Sequence, residues 1–246
     1  MGLTSPTNAM DYHRDMRNAL TSLLGLEKTL PRQHAAVDVH DAERHDSVSI
    51  TRVFFGGEGL LRLPAVIIAP DAPKQTTLCL SPEGASRLDI LTPYLERSQA
   101  GERIVIPDIR FTGAYGLEQL AGVIGPDLVA HEIASDTPPF QHHDAQRDHL
   151  LWAWERNSIV WGRPVIGMAV SDIESVLQGL QTELPAHGHP IQIESSGPAY
   201  LGLAAVFAAI RNPNVKAVDV DLNNSRFETY QYWREACDAL PVIPFI

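Results

Sequence analysis

Apolar positions along the chain follow two kinds of pattern. Short aliphatic or β-branched runs predict strands over Val48 to Phe55, Leu60 to Ala69, Thr76 to Leu80, Arg103 to Ile106, Ile191 to Ile193 and Val215 to Leu222. Helical spacing appears over Asp11 to Leu26 through Met16, Leu20, Leu23 and Leu24, with Gly25 near its end. Further helices are predicted over Leu88 to Arg97, from Pro164 through Leu180, over Pro198 to Ile210 and over Arg226 to Ala239. The first two strands flank Gly56-Gly57-Glu58-Gly59 and make a hairpin; after it strands alternate with helices. That alternation predicts a mostly parallel sheet with helices on both faces.

Two segments break the pattern. Residues 31–46 carry His34, His40 and His45 among Asp38, Asp41 and Asp46, and no pair at i, i+4 on a regular element makes a metal site. A solvated loop is expected there. Residues 113–147 are irregular, with His131, His142, His143 and Asp144, and such a long insertion is as a rule functional or mobile. The expected organisation is therefore an N-terminal helix and polar connector over 1–46, then an α/β domain over 47–246 with a lid-like insertion over 113–160.

The chain is organised around residues 189–211, HPIQIESSGPAYLGLAAVFAAIR. A β-branched run, a tight turn of small residues and an Ala-rich helix follow one another, with Pro198 suited to the first helical position. A serine at such a turn stands beside the free N–H groups that open the helix, where an oxyanion meets backbone donors and the positive end of the helix dipole. This is the layout of a nucleophile elbow, G-x-S-x-G. Centred on Ser196 the flanking positions are Glu194 and Pro198; centred on Ser195 they are Ile193 and Gly197. Neither pair is the expected pair of small residues. Ser196 is the candidate nucleophile, and the alternative is that Ser195 and Ser196 only cap the helix.

Composition narrows the function. The formal charge of −11 lacks the basic excess needed to neutralise phosphates, so no nucleic-acid partner is expected. Two cysteines, Cys79 and Cys237, make no disulfide framework. No apolar run is long enough to cross a bilayer, the N-terminus lacks a signal-peptide core, and Pro6 breaks a myristoylation pattern. A soluble cytoplasmic protein without a membrane partner is expected. No cofactor and no metal are expected either.

Several further stretches, in this order, resemble the α/β-hydrolase superfamily, in particular its bacterial acetyl-xylan-esterase-like and glucuronoyl-esterase-like branch. SPEGA at 81–85 is similar to the oxyanion loop after the family's strand three, and PDIRFTG at 107–113 to its D-x-R-G-x-G loop. WGRPVIGMAVSDIESVL at 161–177 resembles the family's G-R-P helix start, ESSGPA at 194–199 falls on the elbow, and NPNVKAVDVDL at 212–222 on the family's strand six. The resemblance implies Ser196 as nucleophile, with backbone N–H groups of Gly197 and of Glu83 or Gly84 as the oxyanion hole. It also implies a small carboxylic ester as substrate, a carbohydrate ester among the choices. Three departures stand out: Glu194 and Pro198 replace small residues, Phe111 replaces the glycine after Arg110, and no histidine follows Ser196.

A serine needs a base to become a nucleophile, and the base an orienting acid. Asp219 or Asp221 are the available acids, and His131, His142, His143 or His149 can serve only by folding back over the turn. Asp108 and Arg110 read as an ion pair shaping their loop, and Asp172 as a first-turn acid favoured by the helix dipole. The family's last one or two strands are expected to be missing, which leaves Val215 to Leu222 as a sheet edge that either self-associates or is covered by the C-terminal segment through Ile246. Three readings follow: an ester hydrolase, a non-catalytic hydrolase-fold binding protein, or a segment of a longer enzyme.

Overall fold

A computed structural model describes residues 6–34, 36–86, 91–116, 158–182, 189–197 and 199–220. Seven strands form one sheet: β1 (Val37–His45), β2 (Val48–Gly56), β3 (Arg62–Pro70), β4 (Gln75–Leu80), β5 (Glu102–Pro107), β6 (Ile191–Ser195) and β7 (Val215–Val220). The helices are α1 (Pro6–Leu23), α2 (Leu91–Gln99), α3 (Val165–Thr182) and α4 (Ala199–Arg211).

The spatial order is β1-β2-β3-β5-β4-β6-β7. β1, β2, β3 and β5 pair antiparallel in turn, while β4 pairs parallel with β5 and β6, and β6 with β7. The sheet is thus mixed, with only β1 and β3 running against the rest. The expected parallel sheet is realised from β5 to β7, where helical crossovers join the strands.

β1 corrects the expected loop over 31–46. Most of its residues are polar, and after Val37 all of them are exposed, Val39 included, so no sustained apolar alternation announces a strand. It is held by its backbone ladder to β2 and by cross-strand charges: Arg52 pairs with Asp41 and Glu43, and Arg62 with Asp38.

The main core lies between the sheet and α1, α3 and α4. α3 is apolar almost all round and is a core helix. α4 approaches the sheet closely because Ala204, Ala205 and Ala208, all fully buried, present only methyl groups. A smaller core under α2, on the opposite face, contains Val48, Val66, Ile68, Cys79, Ile104 and Ile106. In α1, Leu20 and the following Leu24 are buried, whereas Met16 and Leu23 are largely exposed, so the expected stripe is only half used. The segment Arg226 to Ala239 and most of the insertion lie outside the described residues.

Candidate functional site

β6 alternates strictly: Ile191, Ile193 and Ser195 are buried toward α3 and α4, while Gln192 and Glu194 face α2. Pairing Leu80 with Ser195, and the bond from Ser196 N–H to Leu80 O at 3.0 Å, carry the ladder with β4 one residue past the strand. The chain then turns at Ser196 and Gly197 and enters α4 at Ala199. Strand, turn and helix therefore stand where the sequence places them.

The residue of that turn with positive φ is Gly197, at 102°, a region that glycine adopts freely and L side chains rarely do. A Cβ on Gly197 would lie 2.6 Å from Cγ and 2.7 Å from Cδ of Pro82, in the loop after β4. Centred on Gly197 the elbow pattern reads Ser195-Ser196-Gly197-Pro198-Ala199, with small residues at both flanking positions. Ser196 precedes the positive-φ position, with its side chain exposed at the end of β6, and Ser195 is buried.

The candidate oxyanion donors divide. The N–H of Gly84 is used within its own loop, donating to the Ser81 carbonyl at 3.1 Å and the Ser81 hydroxyl at 3.2 Å. Glu83 is exposed and lies in the same turn. The loop is fastened from below by Asp108, which accepts from Ala85 N–H at 2.5 Å and Ala114 N–H at 2.9 Å. Gly84 and Gly113 press against this carboxylate so closely that a Cβ on either would overlap it. Asp108 is 3% exposed and burial pushes its pKa up, while the two backbone bonds pull the other way.

Asp108 therefore does not pair with Arg110. Arg110 reaches across to α3, where its Nε is 2.9 Å and its Nη2 2.7 Å from the Asp172 carboxylate, and Nη2 also donates to Glu58 at 3.2 Å. Asp172 is not a first-turn acid: it sits about two turns into α3, fully buried, and a carboxylate there requires a cation. Glu58, in the turn between β2 and β3, also binds both terminal nitrogens of Arg163 and accepts the Leu30 N–H at 2.7 Å. Burial disfavours the charged form of Glu58, but bonds from Arg163 and Leu30 and the charges of Arg163 and Arg110 outweigh it and hold its pKa at about 2.

Glu194 points away from the turn. It pairs with Arg97 of α2, which also binds Glu102 of β5, and so carries no negative charge toward an oxyanion at Gly197. Cys79 on β4 lies 3.8 Å from Glu194, and burial, followed by the charge of Glu194, pushes its thiol up to about 12. Phe111 takes the position of the family's glycine with φ at 72°, the glycine's conformation without the glycine. Its ring is buried, and its carbonyl accepts from Tyr200 of α4 at 3.3 Å.

Among the described residues no histidine hydrogen-bonds to Ser196. His34 binds the Leu60 carbonyl and His40 packs edge-on against Phe54. His131, His142, His143, His149 and Asp221 lie outside the described residues, and Asp219 is exposed on β7 beside Glu194. No group of three or more His, Cys, Asp or Glu able to hold a metal is present among the described residues. No described helix is long and apolar enough to cross a membrane.

The mixed sheet with its strand–turn–helix at the end of β6 defines an α/β-hydrolase-like fold. A "putative acetyl xylan esterase" from Bacteroides fragilis shares it, with a TM-score of 0.62 at 15% identity over 88% of this chain and 54% of that one. Acetyl Xylan Esterase 1 from Thermoanaerobacterium superposes less well, with a TM-score of 0.49 at 13% identity over 84% of this chain and 56% of that one. A dienelactone hydrolase from Anabaena variabilis gives 0.41 at 17% identity, over 76% of this chain and 63% of that one. The chain thus spans between about half and two thirds of the length of these structures. No family model matches the sequence. No curated protein matches it either.

Proposed function

We propose that this chain is a hydrolase-fold protein that binds a ligand without acyl transfer at the turn after β6. The observation that carries this reading is Gly197, a residue without a side chain at the positive-φ position of the turn, packed beneath Pro82. The elbow chemistry needs a hydroxyl on the strained residue and an N–H on the residue after it. Here the first is a glycine and the second is Pro198, which has no N–H. Of the two loop donors the resemblance implies, Glu83 and Gly84, the Gly84 N–H is engaged inside its loop.

The second reading, a serine hydrolase acting on small carboxylic esters through Ser196, draws on the exposure of that hydroxyl beside the N–H of Gly197. Hydrolysis of p-nitrophenyl acetate and labelling by a fluorophosphonate, read by intact mass, separate the two. The binding reading expects neither turnover above buffer nor a mass increase. Turnover that vanishes on Ser196→Ala overturns it. Turnover that survives this change and is lost on Ser195→Ala moves the nucleophile by one residue.

A further inference from the structure

A second site lies well away from that turn. A cleft of about 570 Å³ opens beside Gly57 and Glu58, just past the end of β2, against α3 and the segment that carries Leu30, Arg32 and His34. β2 and β6 are four neighbours apart in the sheet, about 19 Å at the usual strand spacing. The volume falls in the range of small-molecule sites.

The charges around this cleft are unevenly matched. Its acid, Glu58, is fully engaged by Arg163, Arg110 and the Leu30 N–H. Its cation, Arg32, is not. Arg32 is half-buried, and its Nη2 donates at 3.0 Å to the carboxamide oxygen of Gln178, a neutral group. Arg62, Arg97, Arg110, Arg163 and Arg211 each hold a carboxylate, whereas Arg32 meets none among the described residues. Acids are not scarce in this chain, with 30 Asp and Glu against 19 Lys and Arg. Burial accordingly lowers the pKa of Arg32 with no anion to offset it.

The other walls set the polarity of a partner. His34 directs Nε2 at the Leu60 carbonyl, 3.0 Å away; a carbonyl only accepts, so this nitrogen carries the proton. Leu30, Pro31 and Ala36 supply apolar surface. A guanidinium with one donor filled presents its remaining N–H groups as a fork, which matches the two oxygens of a carboxylate.

We infer that this cleft binds a small organic monocarboxylate, its carboxylate forked on Arg32 and its apolar body against Leu30 and Pro31. The inference does not rest on the state of the turn at Gly197, and it names a ligand class for a cleft that elbow chemistry leaves unused.

Calorimetric titration of the full chain with butyrate and with benzoate tests it, with butyramide and inorganic phosphate as comparison ligands. Saturable one-to-one binding of a carboxylate is expected, weakened at least about tenfold by Arg32→Gln, and several-fold by Arg32→Lys, which keeps the charge but not the fork. Arg44→Gln, removing an exposed arginine elsewhere, is expected to change nothing. If Arg32→Gln fails to fold, Arg32→Lys and the butyramide comparison carry the test. The inference is overturned by no saturable heat with either acid up to about 10 mM, by butyramide binding as well as butyrate, by phosphate binding more tightly than both acids, or by binding indifferent to Arg32.

Discussion

Arg97 of α2 holds Glu194 of β6 by two hydrogen bonds, at 2.8 and 2.9 Å, from the sheet face opposite α4. The same guanidinium binds Glu102, so one cation joins two carboxylates on the strands either side of β4. Arg97→Met leaves those carboxylates facing each other beside Cys79. Glu102 is the more enclosed of the two, with its side chain 10% exposed, while Arg97 is a third exposed and partly screened. A loss of about 2 kcal/mol is expected. It is to be seen as a lower urea midpoint at unchanged m.

Glu58 governs the acid limb of stability. Its folded pKa of about 2 lies below the ordinary 4.5, so its contribution is complete above the unfolded value and disappears as pH falls from about 4.5 toward 2. A shift of this size corresponds to at most about 3 kcal/mol. Glu58→Gln is expected to lower stability at neutral pH and to flatten its dependence on pH below about 5. Denaturation midpoints across that range check this, and a variant as acid-sensitive as the parent contradicts it.

At Gly197 a methyl group meets both an unfavourable φ and the Pro82 ring. Gly197→Ala is expected to cost roughly 2–4 kcal/mol, combining backbone strain with overpacking. A double-mutant cycle with Pro82→Ala separates the two contributions, with a coupling of about 1 kcal/mol or more assigned to the ring. Additive losses in that cycle contradict the contact.

Phe111 reverses a familiar order. Its buried ring holds the loop after β5 in place, but its φ of 72° favours glycine. Phe111→Ala loses the ring, about 3–5 kcal/mol, and keeps the strain. Phe111→Gly loses the same packing and sheds the strain, so it is expected to be the more stable of the two by about 1 kcal/mol despite being smaller. Thermal midpoints of the pair check the order.

The fold was legible where one face or both faces of an element are apolar. β2 through β6 and α3 and α4 follow directly from Val, Ile, Leu and Ala spacing, because burial imposes the period. β1 was not, since an edge strand with charges on it gives no hydrophobic signal. The ionic framework was legible by residue type but not by partner: Arg110 bypasses Asp108, two residues away, for Asp172 and Glu58, brought close only by the folded sheet. At the turn after β6 the succession of strand, turn and helix was legible, and the residue with positive φ was not. The pattern was sought around a serine, while the positive φ belongs to Gly197, flanked by the small residues Ser195 and Ala199.

The outermost described strands differ in what they allow a chain to do next. β1 turns a row of charges outward, with Arg52 and Arg62 bound to Asp38, Asp41 and Glu43, and an incoming strand would have to strip them of water. β7 carries less protection; the ammonium of its Lys216 is folded back onto the Pro213 carbonyl. A second copy meeting β7 through its own β7 would form a closed, two-fold pair. Further growth would then have to proceed from β1 on both outer flanks, where charge opposes it. Were two chains to meet through this sheet, the difference between its described edges would favour a pair over continued growth into a fibre.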